Sequence, residues 1–128
     1  MIRVDIKWDF LSPALGVASG ILKVISYKHN GALEEGKTLI KCKVKKDRSS
    51  TGFSAIAQDK GVRKDLFDIF EDRIRTMIDS YYYGMNLKDS TYSWVDDSAD
   101  KTLEEFLKEK GYDYSEECIN KIAAENET

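Results

Sequence analysis

The chain has 128 residues, of which 41% are apolar and 34% are charged, with 8 Gly and 1 Pro. This size and composition predict one folded domain with a core of its own, and they argue against a fibrous or largely disordered chain. Gly, Ser and Lys interrupt every apolar stretch well short of the roughly 18 residues that a membrane-spanning helix needs, so we expect no membrane association.

The net charge of −3 conceals an uneven distribution along the chain. Residues 1–64 contain 13 Lys and Arg against 6 Asp and Glu, a net charge of +7, and residues 65–88 have a net charge of −2. Residues 89–128 contain 4 Lys and Arg against 12 Asp and Glu, a net charge of −8. Such asymmetry favours a charged partner, or two halves that attract each other within one fold or head to tail between the copies of a homo-oligomer.

Two elements are predicted before residue 31. Residues 2–10 alternate strictly between apolar and polar side chains, which predicts a strand with its apolar face on the core. Ser12-Pro13 then resembles a helix start and Asn30-Gly31 a helix stop, so we expect a helix over residues 13–29. Val17 and Val24 also suit a strand, and Gly16 and Gly20 weaken a helix, so a strand stays open as the alternative.

A hairpin is predicted next. Thr38 to Lys46 alternates again, with Ile40, Cys42 and Val44 on one face and a row of lysines on the other. Residues 47–52 have the composition of a turn, and residues 53–58 form the second strand.

Helices dominate the rest of the prediction. Apolar residues recur every three or four positions from Gly61 to Gly84, which predicts one long helix. Residues 85–99 are predicted to be a loop with a possible short strand. Thr102 and Glu105 form a capping box at the start of a helix over 102–110 that Gly111 closes, and Ser115 begins the last helix.

The predicted class is therefore α+β, as a single domain over residues 1–128 with disorder expected only in the last few residues. The predicted order is β-α-β-β-α-α-α. An antiparallel hairpin and the N-terminal strand are expected to pack on the long central helix, followed by a helical C-terminal part.

Catalytic signatures are scarce. His29 is the one histidine, and Cys42 and Cys118 are too isolated to form a zinc site, so we predict no metal, no cofactor and no catalytic residue. We expect both cysteines to be reduced in a cytoplasmic protein, because no secretory leader is visible. A metal-assisted enzyme using Asp5 or Asp9 with Glu35 is a remote alternative.

Two surfaces are candidates for binding a macromolecule. The first hypothesis is a non-enzymatic protein, such as an inhibitor, an immunity protein or an accessory factor, that binds another protein through acidic and aromatic side chains. These are Tyr82, Tyr83, Tyr92, Trp94, Glu104, Glu105 and Glu109. The alternative is a nucleic-acid-binding protein that uses the lysine-rich hairpin, with contacts from Lys41, Lys43, Lys45, Lys46 and Arg48.

Overall fold

The computed structural model describes residues 1–12, 17–30, 33–46, 55–57, 61–82 and 91–125. This part of the chain contains five strands and three helices. In chain order they are β1 (Ile2–Ser12), β2 (Val17–Asn30), β3 (Leu33–Lys46), β4 (Ala55–Ala57), α1 (Val62–Tyr82), β5 (Thr91–Asp97), α2 (Leu103–Glu109) and α3 (Glu116–Glu125). The strands form one sheet in the order β4-β3-β2-β1-β5.

β1 confirms the first predicted strand. The alternation of its side chains buries Ile2, Val4, Ile6 and Trp8 completely, while the residues between them are half-buried or exposed. A sheet residue points to the face opposite that of its neighbours, so the nine-residue alternation fixes which face meets the core.

β2 corrects the prediction of a helix over residues 13–29. From residue 17 onward the chain is extended, and residues 13–16 lie outside the described part. Ala18, Leu22 and Val24 are buried at a period of two, as expected for a strand. The physical reason for the error is that tertiary pairing overrides weak local helix signals, and that Asn-Gly is as good a hairpin turn as a helix stop.

The hairpin of β3 and β4 is confirmed. The two strands are antiparallel, with Val44 opposite Ala57 and Lys46 opposite Ala55. Ile40, Cys42 and Val44 are buried, as their alternation predicted. The predicted turn at 47–52 lies outside the described residues.

α1 confirms the long helix, although the predicted stop at Gly84 lies outside the described residues. One face is buried through Val62, Leu66, Phe67, Phe70 and Ile74. The exposed side carries ion pairs one turn apart, and one of them, Glu71 with Arg75, has an N–O distance of 2.8 Å. Such exposed pairs each stabilise a helix by only about 0.3–0.5 kcal/mol, so burial accounts for most of its stability.

β5 confirms the possible short strand within residues 85–99, at residues 91–97 and next to β1 in the sheet. Only Trp94 is buried among its seven residues. A strand with one buried side chain has almost no amphipathic pattern, which explains why sequence periodicity gave only a weak indication of it.

α2 and α3 have the predicted caps. The Glu105 backbone N–H donates to Thr102 Oγ1 at 3.2 Å, and Gly111 adopts a φ of +95° just beyond α2, where glycine has no steric cost. At the start of α3 the Cys118 backbone N–H donates to Ser115 Oγ at 3.2 Å. Both short helices therefore begin where the sequence places them.

The α+β class is confirmed, whereas the order of elements is β-β-β-β-α-β-α-α rather than the predicted β-α-β-β-α-α-α. The chain divides into two compact units. The first comprises Met1–Asp5, Lys23–Lys41 and Ser93–Thr128 and includes α2 and α3, and the second comprises Ile6–Leu22 and Cys42–Tyr92 and includes α1. No helix among the described residues is both long and apolar enough to span a membrane.

Candidate functional site

The exposed negative charge predicted from the sequence lies in residues 104–117, which we call the acidic segment. It contains 6 acidic residues and 2 lysines. Glu105 and Glu109 are exposed, as expected for binding residues, whereas Glu104 is half-buried. Asp113, Glu116 and Glu117 are exposed as well, and sequence reasoning did not include them although the same charge count points to them.

Glu109 belongs to an internal ion-pair network. Lys101 Nζ donates to Glu109 Oε2 at 2.6 Å and to Asp97 Oδ2 at 2.8 Å. The two carboxylates raise the pKa of Lys101 well above its ordinary value. The Lys101 ammonium and the Ala99 backbone N–H lower the pKa of Asp97. Lys101, which was not predicted, therefore ties the end of β5 to the last turn of α2.

Glu105 also has a local role, because its Oε1 accepts a hydrogen bond from Thr102 Oγ1 at 3.1 Å. Glu104 instead lines a cavity beside α3. Two of the three predicted glutamates, Glu105 and Glu109, thus bond to other residues of this protein. The exposed carboxylates of Asp113 and Glu117, by contrast, have no hydrogen bond or ion pair with any described residue.

The predicted aromatic residues divide by burial. Trp94 is only 8% exposed and belongs to the core, and Tyr92 is half-buried. The side chain of Tyr82, at the end of α1, and the whole of Tyr83 lie outside the described residues. Trp94 is therefore buried rather than exposed as a binding residue would be.

The lysine row on β3 has the predicted alternation. Lys43 and Lys45 are exposed and Lys41 is half-buried, on the face opposite Cys42 and Val44. Lys46 is the last residue of β3, and its side chain, like all of Arg48, lies outside the described residues.

A buried tyrosine between two cations was not predicted. Tyr27 is 2% exposed, with the Arg3 guanidinium 5.2 Å and the Lys37 ammonium 5.9 Å from the centre of its ring. Cations at this distance are attracted by the negative face of the ring. These contacts depend on Tyr27 lying in a strand, so they could not be predicted while residues 13–29 were expected to form a helix.

Two adjoining cavities lie between β3 and α3. The larger, of about 370 Å³, is lined by Lys37, Thr38 and Leu39 of β3 and by Asn120, Ala123 and Ala124 of α3. We call it the α3 groove. The other, of about 270 Å³, shares Lys37, Thr38 and Asn120 with it and extends to Lys28, Glu104 and Glu116.

The residues considered for catalysis have ordinary structural partners where they are described. Asp5 lies 3.4 Å from Arg3 Nε, and Asp9 accepts from Ser19 Oγ at 2.7 Å. The side chains of His29 and Glu35 are outside the described residues. Cys42 is buried, Cys118 is half-buried, and both are free thiols. Where side chains are described, no three His, Cys, Asp or Glu converge as metal ligands would.

Fold and side chains together define a small α+β protein with an acidic helical end and a groove beside an edge of its sheet. No protein family model matches the sequence, and neither the curated proteins nor the solved structures include a match.

Proposed function

We propose that this protein is a non-catalytic binding protein that attaches to a basic surface of another protein through its acidic segment. Inhibitors, immunity proteins and accessory factors act in this way. The observation that supports the proposal is the exposure of five carboxylates, at Glu105, Glu109, Asp113, Glu116 and Glu117, on two short capped helices and their connection.

The caps have a direct bearing on binding. Thr102 and Ser115 fix where each helix begins, so that the carboxylates behind them are held in place before a partner arrives. A field of one sign accelerates encounter with an oppositely charged surface and disfavours other partners. Because the Debye length is about 8 Å at physiological ionic strength, we expect association to slow as salt is added. We retain the cytoplasmic location as part of this proposal.

Charge reversal at two acidic residues without internal partners tests the proposal. The partner is first isolated from the native cell with the full chain and identified by mass spectrometry, and its affinity is then measured with purified protein. Asp113→Lys with Glu117→Lys is expected to weaken binding by about tenfold or more, because each reversal replaces an attraction by a repulsion.

A control places a charge reversal on α1. Asp72 is fully exposed and lies 4.0 Å from Arg75, and Asp72→Lys alters the net charge by half as much as the double reversal. The proposal predicts that Asp72→Lys binds the partner with unchanged affinity and that both variant proteins remain folded. If Asp113→Lys with Glu117→Lys binds as tightly as the wild type, the acidic segment is not the binding surface. Alanine at Tyr82 and Tyr83 tests the aromatic part in the same assay.

Nucleic-acid binding through β3 is the second candidate, supported by the two exposed lysines at positions 43 and 45. Lysines on one strand face can follow a phosphate backbone, and each phosphate contact makes affinity fall with salt. The test is a gel shift with mixed-sequence DNA and RNA at low salt. Lys43→Gln with Lys45→Gln is expected to abolish the shift, while Lys108→Gln on α2 leaves it intact, and a wild-type chain that shifts neither nucleic acid refutes this candidate.

A further inference from the structure

The α3 groove runs along an edge of the sheet. β4 pairs with β3 at Val44, Lys45 and Lys46, and no other described strand lies on that side of β3. Further back along β3, Lys37, Thr38 and Leu39 face a cavity of about 370 Å³ instead. A sheet edge offers backbone N–H and C=O groups to any extended chain that reaches it.

The ladder indicates which backbone groups point into the groove. Met1 and Tyr27 exchange two backbone hydrogen bonds of 2.9 Å, so the Tyr27 N–H and C=O point toward β1. The direction of the backbone N–H and C=O alternates from one residue to the next along a strand, so those groups of Lys28 point toward β3. Gly36 of β3 lies beside Lys28, because a Cβ on Gly36 would be 3.7 Å from the Lys28 side chain. Gly36 interrupts this alternation with a φ of +70°, and the proposal places the N–H and C=O of Lys37 and Leu39, beyond it, on the side of β3 away from β2.

The opposite wall of the groove is built to admit a backbone. α3 presents Asn120, Ala123 and Ala124 there, at positions three and four residues apart on one helix face. Alanine side chains are short and leave room for a chain beside the strand edge, while the Asn120 amide can both donate and accept a hydrogen bond.

The charge along this edge of the sheet favours an extended partner segment that carries acidic side chains. β3 contains Glu34 and Glu35 before Gly36, and 5 lysines with no acidic residue from Gly36 to Lys46. Lys37 is exposed and lines both cavities, and it is the one charged residue among those that line the α3 groove. Opposite charges facing each other across neighbouring strands are favourable, so an acidic residue is the best neighbour for Lys37.

We propose that the α3 groove binds an extended segment of a partner protein, which adds to β3 as a further strand and places an acidic side chain against Lys37. Backbone hydrogen bonds to Lys37 and Leu39 supply the attachment, and the alternating side chains supply selectivity. This inference rests on the proposed function only in that the partner is a protein, because the groove and the exposed carboxylates of Asp113 and Glu117 are separate contacts.

Amide hydrogen exchange on the full chain tests the open edge without any ligand. The amides of Lys37 and Leu39 are expected to exchange at least about tenfold faster than those of Thr38 and Ile40, which the proposal pairs with β2. Equal protection at all four positions shows that the edge is already occupied and overturns the proposal.

Peptide selection tests the site itself. A library of random peptides of about nine residues, longer than a typical strand, is selected on the full chain. The proposal predicts peptides with acidic and apolar residues in alternation, which protect the Lys37 and Leu39 amides and bind at least about tenfold more weakly to Ala124→Tyr and to Lys37→Gln. Lys121→Tyr puts the same ring on an exposed α3 position that does not line the groove, and it is expected to bind like the wild type.

The outcomes separate the two proposals. Selection that yields no peptide, or peptides that bind Ala124→Tyr normally, overturns the groove proposal. The proposed function then stands or falls on whether Asp113→Lys with Glu117→Lys weakens the natural partner. Peptides that protect the edge amides and are lost in Ala124→Tyr support the groove even where the charge reversals have no effect on that partner.

Discussion

Replacement of Gly20 by alanine distinguishes a strand from a helix over residues 17–30, because the two structures predict opposite signs. In the middle of a helix, alanine is more favourable than glycine by about 1 kcal/mol. In β2, by contrast, Gly20 is buried against β1. An added Cβ falls inside van der Waals contact of the Lys7 carbonyl oxygen and only 3.0 Å from Cε3 and 3.1 Å from Cα of Trp8.

The magnitude follows from what must move. Trp8 is completely buried and the Lys7 oxygen belongs to the backbone, so neither can yield without separating β1 from β2. Overpacking of this kind costs about 1–3 kcal/mol. Alanine recovers about 0.4–1 kcal/mol by restricting the unfolded chain. We therefore expect Gly20→Ala to destabilise the protein by about 1–2 kcal/mol.

Urea unfolding followed by tryptophan fluorescence measures this difference, and a thermal melt should show a fall of roughly 3–10 °C for a chain of this size. Gly111→Ala is the control, since a Cβ there meets nothing within 4 Å and costs only the strain of a φ of +95°. A Gly20→Ala protein as stable as the wild type, or more stable, refutes the assignment of β2 and its packing on Trp8.

Three further variants test the helical C-terminal part and its ion pairs. Thr102→Ala removes the cap of α2 and should lower the unfolding free energy by about 1 kcal/mol, whereas Thr102→Ser should retain most of it; equal losses contradict the cap. Leu107→Ala leaves a cavity where a side chain is completely buried and should cost about 2–5 kcal/mol in the same assay. The lowered pKa of Asp97 means that its pairing with Lys101 stabilises the fold above the ordinary pKa of 3.8 and that this contribution disappears as pH falls through the lowered value. The gap in unfolding free energy between wild type and Asp97→Asn should therefore be present at pH 7 and shrink as the pH falls below 3.8, and a gap that does not change with pH contradicts the pairing.

Local signals predicted the elements that depend on them. The capping box of Thr102, the stop at Gly111 and the strict alternation in β1 each involve residues within one turn or one strand, and all three are present. The error over residues 13–29 and the weak prediction of β5 concern strands whose stability comes from neighbours distant in sequence. β2 has helix start and stop signals around it and β5 has one buried residue, so a periodicity argument did not show that both pair with β1.

The candidate site was predictable to a similar extent. Counting charges along the chain was enough to predict the acidic segment, because acidic residues are common in the first turn of a helix and can be read directly from the sequence. Counting could not show that Glu109 pairs with Lys101, nor that Tyr27 lies between Arg3 and Lys37. The α3 groove combines residues about 80 positions apart, and only the fold brings them together.

The most direct test of the central claim compares two chains in one isolation from the native cell. Wild-type protein and the Asp113→Lys, Glu117→Lys variant are used side by side at about 0.15 M salt, and captured proteins are quantified by mass spectrometry. The account predicts a protein with a basic surface that the wild type retains and the variant loses by about tenfold or more, with Asp72→Lys behaving as the wild type. Equal capture by the variant and the wild type contradicts it.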